Sequence, residues 1–550
     1  MTSPRKKIQI TFEDRRILTA GDQTLMEALI GAGVMLRTDC GGKGRCGKCR
    51  IKIHDPNLQS LSPPGEAEAG ILGAKGLSAG YRLACCAALL SGVALEIPAG
   101  SRLSASVLEK APPLLLKKHA FSKTRAEGLQ DTYGLAVDLG TTTIATYLCD
   151  LAACSVNSSM AMRNPQAIFG DDVMSRITAI SRDSDLLKRL QRMAVKTIDW
   201  SAQALMRASR LKPAQIKNMI VVGNSTMIHI LVGQNPVSIG IYPYAPGFVE
   251  EKRLPAESLG LRFNPKARIR TLPLITGFIG ADTVSAAIAA ELEDLPVGTM
   301  LVDVGTNGEI MFLGKEGMLA ASCATGPAFE GATIQHGMQA VPGAIDAIKM
   351  NRNKSNLSYS VIQNATEKRR RPAGICGTGV ISAVAELLRA GIILKDGAFN
   401  RTAKYPNLQR GENGALQFIL VAPEKTADGR TIALTQKDVR AVQLAKGALR
   451  AGIELLCKET HPDVPRKILL AGAFGNYINP QDALTIGMFP GLAPEDIEGV
   501  GNAAGAGAIL TLFDERFAHK AAEISRTTRV LDLSAHPDFQ ETFINALSFP

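Results

Sequence analysis

Apolar and polar residues alternate from Lys7 to Phe12 with the period of two that a strand with one buried face requires, and Arg16-Ile-Leu-Thr19 can return beside it. Helical spacing follows over Thr24–Ile30, where Thr24 and Glu27 stand three apart as in a capping box. Arg50–His54 and Val93–Ile97 alternate again as strands and complete one small module.

Beyond residue 131 the pattern turns to buried-type strands that run into glycine turns. Tyr133-Gly-Leu-Ala-Val-Asp138-Leu-Gly140-Thr141-Thr142-Thr143 and Met300-Leu-Val-Asp303-Val-Gly305-Thr306-Asn307-Gly308 each place an Asp-x-Gly-Thr turn between two apolar strands. Asn218–Thr226 echoes Lys467–Asn476 as a strand entering a glycine turn, and the small-residue stretch Gly277–Ala287 parallels Gly499–Gly507. Three paired features in the same order predict two homologous lobes at 132–296 and 297–550, behind a module at 1–98 and a linker at 99–131. Pro98, Pro112 and Pro113 favour extended chain in that linker.

A chain of 550 residues, 46% hydrophobic and 21% charged, is an ordinary globular protein of several folding units. Its net charge of +11 attracts polyanions, but the clusters Arg5-Lys6-Lys7 and Lys368-Arg369-Arg370-Arg371 belong to no nucleic-acid module. With one Trp and eight Tyr there are few platforms for stacking bases, so no nucleic-acid partner is expected. The first apolar stretch stops at Glu13-Asp14, and no apolar run reaches the ~18 residues of a membrane span. A cytoplasmic protein without a membrane partner is expected.

Five of the ten cysteines fall in the first 86 residues. Cys40-Gly-Gly-Lys-Gly-Arg-Cys46-Gly-Lys-Cys49 has the spacing C-x5-C-x2-C, with Cys85 following 36 residues later and Cys86 next to it. In a reducing compartment such a group points to ligands rather than disulfides. Zinc also takes four thiolates, though more often from paired C-x2-C knuckles, whereas glycines linking three thiols suit a loop wrapped around an inorganic cluster. Spacing alone does not separate Cys85 from Cys86. The module resembles a 2Fe-2S ferredoxin of α+β β-grasp fold, with one residue more between the first two cysteines than the plant-type pattern. That resemblance implies Cys40, Cys46, Cys49 and Cys85 as the ligands, the last following Arg82-Leu-Ala. Cys149, Cys154 and Cys457 are expected in the core; Cys323 and Cys376 would matter only to a second, subunit-bridging cluster. His229 and His336 share no metal-ligand spacing and are expected to pack.

The Asp-x-Gly-Thr turn suits phosphate. Its glycine lets the backbone approach, threonine hydroxyls and turn N–H groups donate to phosphate oxygens, and the aspartate can orient hydrated Mg²⁺. Two such hairpins facing each other would hold a nucleotide through Gly140, Thr141 and Thr142 in one lobe and Gly305, Thr306 and Asn307 in the other. The ordered hairpins, glycine turns and small-residue segments resemble the ASKHA superfamily, an α/β fold of two duplicated RNase H-like lobes. This resemblance implies that Asp138 and Asp303 sit at the Mg²⁺-phosphate site and that Gly472 to Gly475 meets the adenosine of ATP. Glu309 and Glu330 could position water or metal, and Gly374-Ile-Cys-Gly-Thr-Gly379 opens a helical stretch whose N–H groups could meet a phosphate or simply be capped.

A one-electron carrier joined to an ATPase has a thermodynamic rationale, because lifting one electron by ~100 mV needs ~2.3 kcal/mol. With Gly326-Pro-Ala-Phe-Glu330-Gly331 and Leu470-Ala-Gly472-Ala-Phe-Gly475, the combination resembles the reductive activators of corrinoid-dependent enzymes along nearly the entire chain. The resemblance implies an ATP-hydrolysing reductase that returns cob(II)alamin to cob(I)alamin in the corrinoid protein of a methyltransferase system, fed by an upstream low-potential electron donor. It is compatible with a homodimer and does not fix the oligomeric state. The alternatives are a ferredoxin-fused small-molecule kinase and an ATP-driven electron donor to a radical dehydratase or reductase.

Overall fold

The alternating segment at the N-terminus is strand β1 (Lys7–Phe12), with Ile8, Ile10 and Phe12 buried and the residues between them facing outward or partly so. The structure, a computed structural model, describes the chain outside residues 1–6, 14, 22, 39, 41, 55–58, 103–130, 306, 332, 352–356, 364–369, 412–413, 463 and 476, and outside the side chains of 473 and 474. Most of the expected linker, Thr306, Asn476 and parts of both basic clusters lie outside the described residues.

β2 (Arg15–Ala20) pairs antiparallel with β1, then α1 (Leu25–Gly31) buries Leu25, Met26, Leu29 and Ile30. Thr24 caps α1 by accepting the Glu27 N–H at 3.2 Å. β3 (Arg50–Ile53), α2 (Glu66–Ser78), β4 (Tyr81–Leu83) and β5 (Val93–Glu96) complete a five-stranded sheet of order β2-β1-β5-β3-β4, in which β5 runs parallel to β1. This is the β-grasp arrangement, with α1 closing over the sheet through main-chain bonds from Leu25 and Met26 to Ala87 and Ala84.

β6 (Tyr133–Leu139), β7 (Thr143–Asp150) and β8 (Ser155–Arg163) form an antiparallel meander. Helices α3 (Val173–Arg182) and α4 (Asp185–Ala208) cross over to β9 (Ile216–Val222), which lies parallel to β6. α5 (Ser225–Val232), β10 (Arg253–Pro255), β11 (Arg268–Thr271) and α6 (Ala281–Ala290) follow, giving the order β10-β11-β9-β6-β7-β8.

The second lobe repeats the plan. β12 (Thr299–Val304), β13 (Gly308–Gly314) and β14 (Gly317–Cys323) are again a meander, and β15 (Ala344–Met350), β16 (Leu357–Val361) and β17 (Gly374–Ile375) make a small sheet before α7 (Gly377–Arg389). β18 (Leu408–Arg410), β19 (Leu416–Val421) and β20 (Ile432–Thr435) form another, and α8 (Gln436–Lys458) leads to β21 (Lys467–Ala471), parallel to β12. With β22 (Ile497–Gly501) and β23 (Arg529–Val530) the order is β22-β21-β12-β13-β14-β23. The series β11-β9-β6-β7-β8 and β22-β21-β12-β13-β14 therefore share one topology. β6 and β12 are almost wholly apolar because central strands of such sheets are covered on both faces.

Two compact units result. One carries the β-grasp module and the first lobe up to Asp282, with Ala508–His519; the other carries Thr283–Gly507 and Lys520–Pro550. The second has its own core, in which Val302, Phe312, Val384, Leu449 and Leu470 are no more than 1% exposed.

Candidate iron-sulfur and nucleotide sites

The loop after α1 begins where Thr38 Oγ1 accepts the Gly42 N–H at 2.8 Å. Gly44 takes a φ of +66°, and a Cβ there would lie 2.8 Å from Cys86 Sγ, so the turn admits only glycine without displacement. The resulting path gathers the thiols in pairs. Cys40 and Cys46 are hydrogen-bonded, the Cys46 thiol drawing Cys40 down to about 4 while the Cys40 thiolate pushes Cys46 up. Cys49 Sγ lies 3.3 Å from Cys85 Sγ, with Cys49 shifted down and Cys85 up for the same reason. Cys86 Sγ is 3.7 Å from Cys85 Sγ and packs beneath Gly44.

Among the described residues, no three His, Cys, Asp or Glu side chains converge where a single metal ion would sit. A structural zinc needs four ligands around one point. Two separate thiol pairs instead match a two-iron cluster, which takes four cysteine thiolates, two for each iron. The donor set therefore fits a 2Fe-2S centre.

The turn that delivers Cys85 rests on an ion pair the sequence did not reveal. Arg82 Nε and Nη2 donate to the two oxygens of Glu68 at 2.9 and 3.0 Å, Nη2 also donates to Ser62 O, and the Leu83 N–H donates to Glu68 Oε1 at 2.6 Å. Both charged side chains are at most 1% exposed. Breaking such a pair leaves an uncompensated buried charge, at a cost of about 3–5 kcal/mol. Glu68→Gln is expected to destabilise the module by that order, read as earlier loss of visible cluster absorbance in a denaturant titration; an unchanged midpoint would contradict it.

The first Asp-x-Gly-Thr turn is held from behind. Asp138 ends β6 between Ala145 of β7 and Val222 of β9, and a Cβ on Gly140 would lie 2.6 Å from Thr143 O. Asn224 Nδ2 donates to Thr141 Oγ1 at 2.8 Å while its Oδ1 caps α5 by accepting the Met227 N–H. Asn164 Nδ2 donates to Gly140 O at 2.9 Å, and Arg176 Nη2 donates to Thr141 O at 2.6 Å. Neither Asn164 nor Arg176 was singled out by sequence; Asn224 was visible only as part of its glycine turn.

At the second turn, Asp303 pairs in register with Glu309 of β13 and Ala471 of β21. The Gly305 N–H donates to Asn307 O at 2.9 Å, and Thr325 Oγ1 donates to Gly305 O at 3.0 Å. Gly472 has a φ of +83°, and a Cβ there would lie 2.5 Å from Asp303 Oδ1, so the carboxylate rests directly on the glycine turn after β21. Glu330 Oε1 would be 3.9 Å from a Cβ at Gly305, and Gly475 is pressed against Leu470 O in the same way. Gly379 belongs to the first turn of α7 and packs on Ile345 O, which gives that glycine a packing role.

Two expectations need correction. Cys323 and Cys376 are 2% and 1% exposed inside the second unit, and Cys376 Sγ donates to Ile345 O, so neither thiol is available for a cluster between subunits. Cys154 is only half-buried, in a turn with φ +48°, rather than a core thiol. Cys149 and Cys457 are buried, and His229 is packed, bonded to Ser225 O and to the Gly247 N–H.

Residues 10–90 match the 2Fe-2S iron-sulfur cluster binding domain, residues 133–295 the RACo middle region, and residues 298–550 the C-terminal ASKHA domain of RACo. The chain is 34% identical over 422 residues to the corrinoid activation enzyme RamQ of Eubacterium limosum, covering 75% of this chain and 69% of that protein. It belongs to the family of corrinoid activators. The activator is also 27% identical over 399 residues to the Co(II) methylated amine-specific corrinoid protein reductase of Methanosarcina barkeri, covering 66% of its own length and 67% of that protein's. A solved reductive activator for corrinoid, iron-sulfur protein superposes with a TM-score of 0.69 at 28% identity, over 99% of the activator and 98% of that chain. The activator thus joins a 2Fe-2S domain to an ASKHA-type ATPase domain.

Proposed function

We propose that the activator returns the corrinoid of a methyltransferase-system protein from cob(II)alamin to cob(I)alamin by one electron, driven by ATP hydrolysis. The observation that carries this reading is the presence, in one chain, of two thiol pairs and two Asp-x-Gly turns. One electron enters from a low-potential donor and leaves to cobalt, while ATP and water give ADP and phosphate. When bound, the 2Fe-2S cluster supplies the one-electron redox step. Cys40, Cys46, Cys49 and Cys85 would hold it, and Cys86 would pack beside them.

Asp138 and Asp303 are read as orienting Mg²⁺ on the phosphates, with Gly140, Thr141, Thr142, Gly305, Thr306 and Asn307 donating to phosphate and Gly472 and Gly475 meeting adenosine. Mg²⁺ is commonly held by one or two carboxylates plus phosphates and water, so it needs no dedicated cage of side chains. The division at 98, 131 and 296 and a cytoplasmic location belong to the same reading. No helix among the described residues is long and apolar enough to cross a membrane.

Gly472→Ala would place a methyl group against the Asp303 carboxylate in a backbone conformation that costs an L-residue about 1–2 kcal/mol. It is expected to weaken ATP binding by about tenfold, at ~1.4 kcal/mol per decade, with cluster absorbance unchanged. Calorimetric titration with ATP checks it, and wild-type affinity would contradict it.

The reading itself is tested by ATP turnover with a Co(II)-state corrinoid protein and, separately, with small hydroxyl and carboxylate acceptors. Phosphate release stimulated by the corrinoid protein, with no phosphorylated acceptor, is the expected result. A phosphorylated small molecule would replace it with a kinase.

A further inference from the structure

The segment Asn164–Asp172 touches both sites. On one side it grips the first phosphate-type turn. Asn164 donates through Nδ2 to Gly140 O at 2.9 Å and through its backbone N–H to Thr142 O at 2.8 Å. Arg176 ties the same segment to the same turn, donating to Thr141 O at 2.6 Å, to Gln166 Oε1 at 3.0 Å and to Gly170 O at 3.0 Å. Asn164, Gln166 and Arg176 are all 0% exposed. A turn that moved alone would leave these groups unpaired away from water, so the segment follows the turn.

On its other side the segment meets the β-grasp module. A Cβ on Gly42 would lie 2.2 Å from Ile168 Cγ2, so the backbone between Cys40 and Cys46 sits on that side chain. Lys43 pairs with Asp171, which Arg163 also approaches at 3.8 Å. Glu27 of α1 pairs with Arg189 of α4, whose guanidinium lies 5.4 Å from the ring centre of Phe169. The next residue, Asp172, caps the helix that carries Arg176.

We infer that Asn164–Asp172 is a positioning element through which the nucleotide state of the Gly140–Thr143 turn sets the docking of the cluster loop, with Arg176 as its anchor and Asp171 as its contact with Lys43. This rests on the reading that the turn binds phosphate. Phosphate bonded to the turn shifts the Gly140 and Thr141 carbonyls; Asn164 and Arg176 follow, and Ile168 and Asp171 move beneath Gly42 and Lys43. Nucleotide turnover then reaches the redox module within a single unit of the fold.

Hydrogen exchange on the full-length, cluster-loaded activator, with and without a non-hydrolysable ATP analogue, tests this. In the wild type, peptides over 140–143, 164–176 and 42–49 should all respond to nucleotide. Asp171→Asn should keep the response at 140–143 and lose it at 42–49, and Asp171→Glu should restore it. A wild-type response confined to 140–143, an Asp171→Asn response equal to wild type, or a loss that Asp171→Glu does not restore would each overturn the positioning role. No response at 140–143 would remove the phosphate reading and this inference together.

Discussion

Asp303→Ala is expected to lower ATP-dependent corrinoid reduction by about 10²–10³-fold or more, the loss typical of removing one group aimed at developing charge. Asp303 stands at the end of β12 with its carboxylate against Gly472, where the β12–β13 turn and the turn after β21 meet. On the proposed reading its removal takes away the group that orients Mg²⁺, and it leaves the thiol pairs, which lie on other elements, undisturbed. Visible cluster absorbance should therefore survive. Asp138→Ala should behave alike, because Asp138 has the same place at the end of β6. Activity and absorbance measured on the same samples decide the matter: variants with full ATP-dependent activity would end the phosphate assignment.

Cys46→Ser should produce the opposite separation. A cluster ligand must be deprotonated, and a serine hydroxyl at neutral pH is not, whereas the Cys40–Cys46 pair already shares its protons so that one member is thiolate. Iron content should fall from the ~2 per chain of a 2Fe-2S centre, normal cluster absorbance and electron delivery should be lost, and calorimetry should return wild-type ATP affinity. Weakened nucleotide binding in this variant would mean that the loop is a structural support of the first lobe, not only a cluster site.

The duplicated hairpins were legible because strand, turn and strand are consecutive in the chain, so Asp138 and Asp303 announce themselves in short windows. Cys40, Cys46 and Cys49 were legible for the same reason, whereas Cys85 came only from the family resemblance and the grouping of the thiols was not legible. Cys49 meets Cys85 because β3 pairs with β4 across a long connection, and spacing does not encode that register. Arg82, Asn164, Gln166 and Arg176 look like ordinary polar residues in sequence; only tertiary packing turns them into buried donors whose partners fix a turn. Glu27 illustrates the ambiguity, since its spacing from Thr24 suggests a reciprocal cap while its carboxylate pairs with Arg189. The burial of Cys323 and Cys376 was not legible either, because it comes from tertiary packing that spacing along the chain does not encode.

The most direct measurement follows the cobalt. Cluster-loaded activator, a fixed low-potential reductant and a corrinoid protein held as Co(II) are mixed with ATP, with a non-hydrolysable analogue, or with no nucleotide, and the visible spectrum of Co(I) is recorded. Accumulation of Co(I) with ATP alone is the predicted result. Equal rate and extent of Co(I) formation in all three mixtures would contradict the coupling of nucleotide hydrolysis to electron delivery.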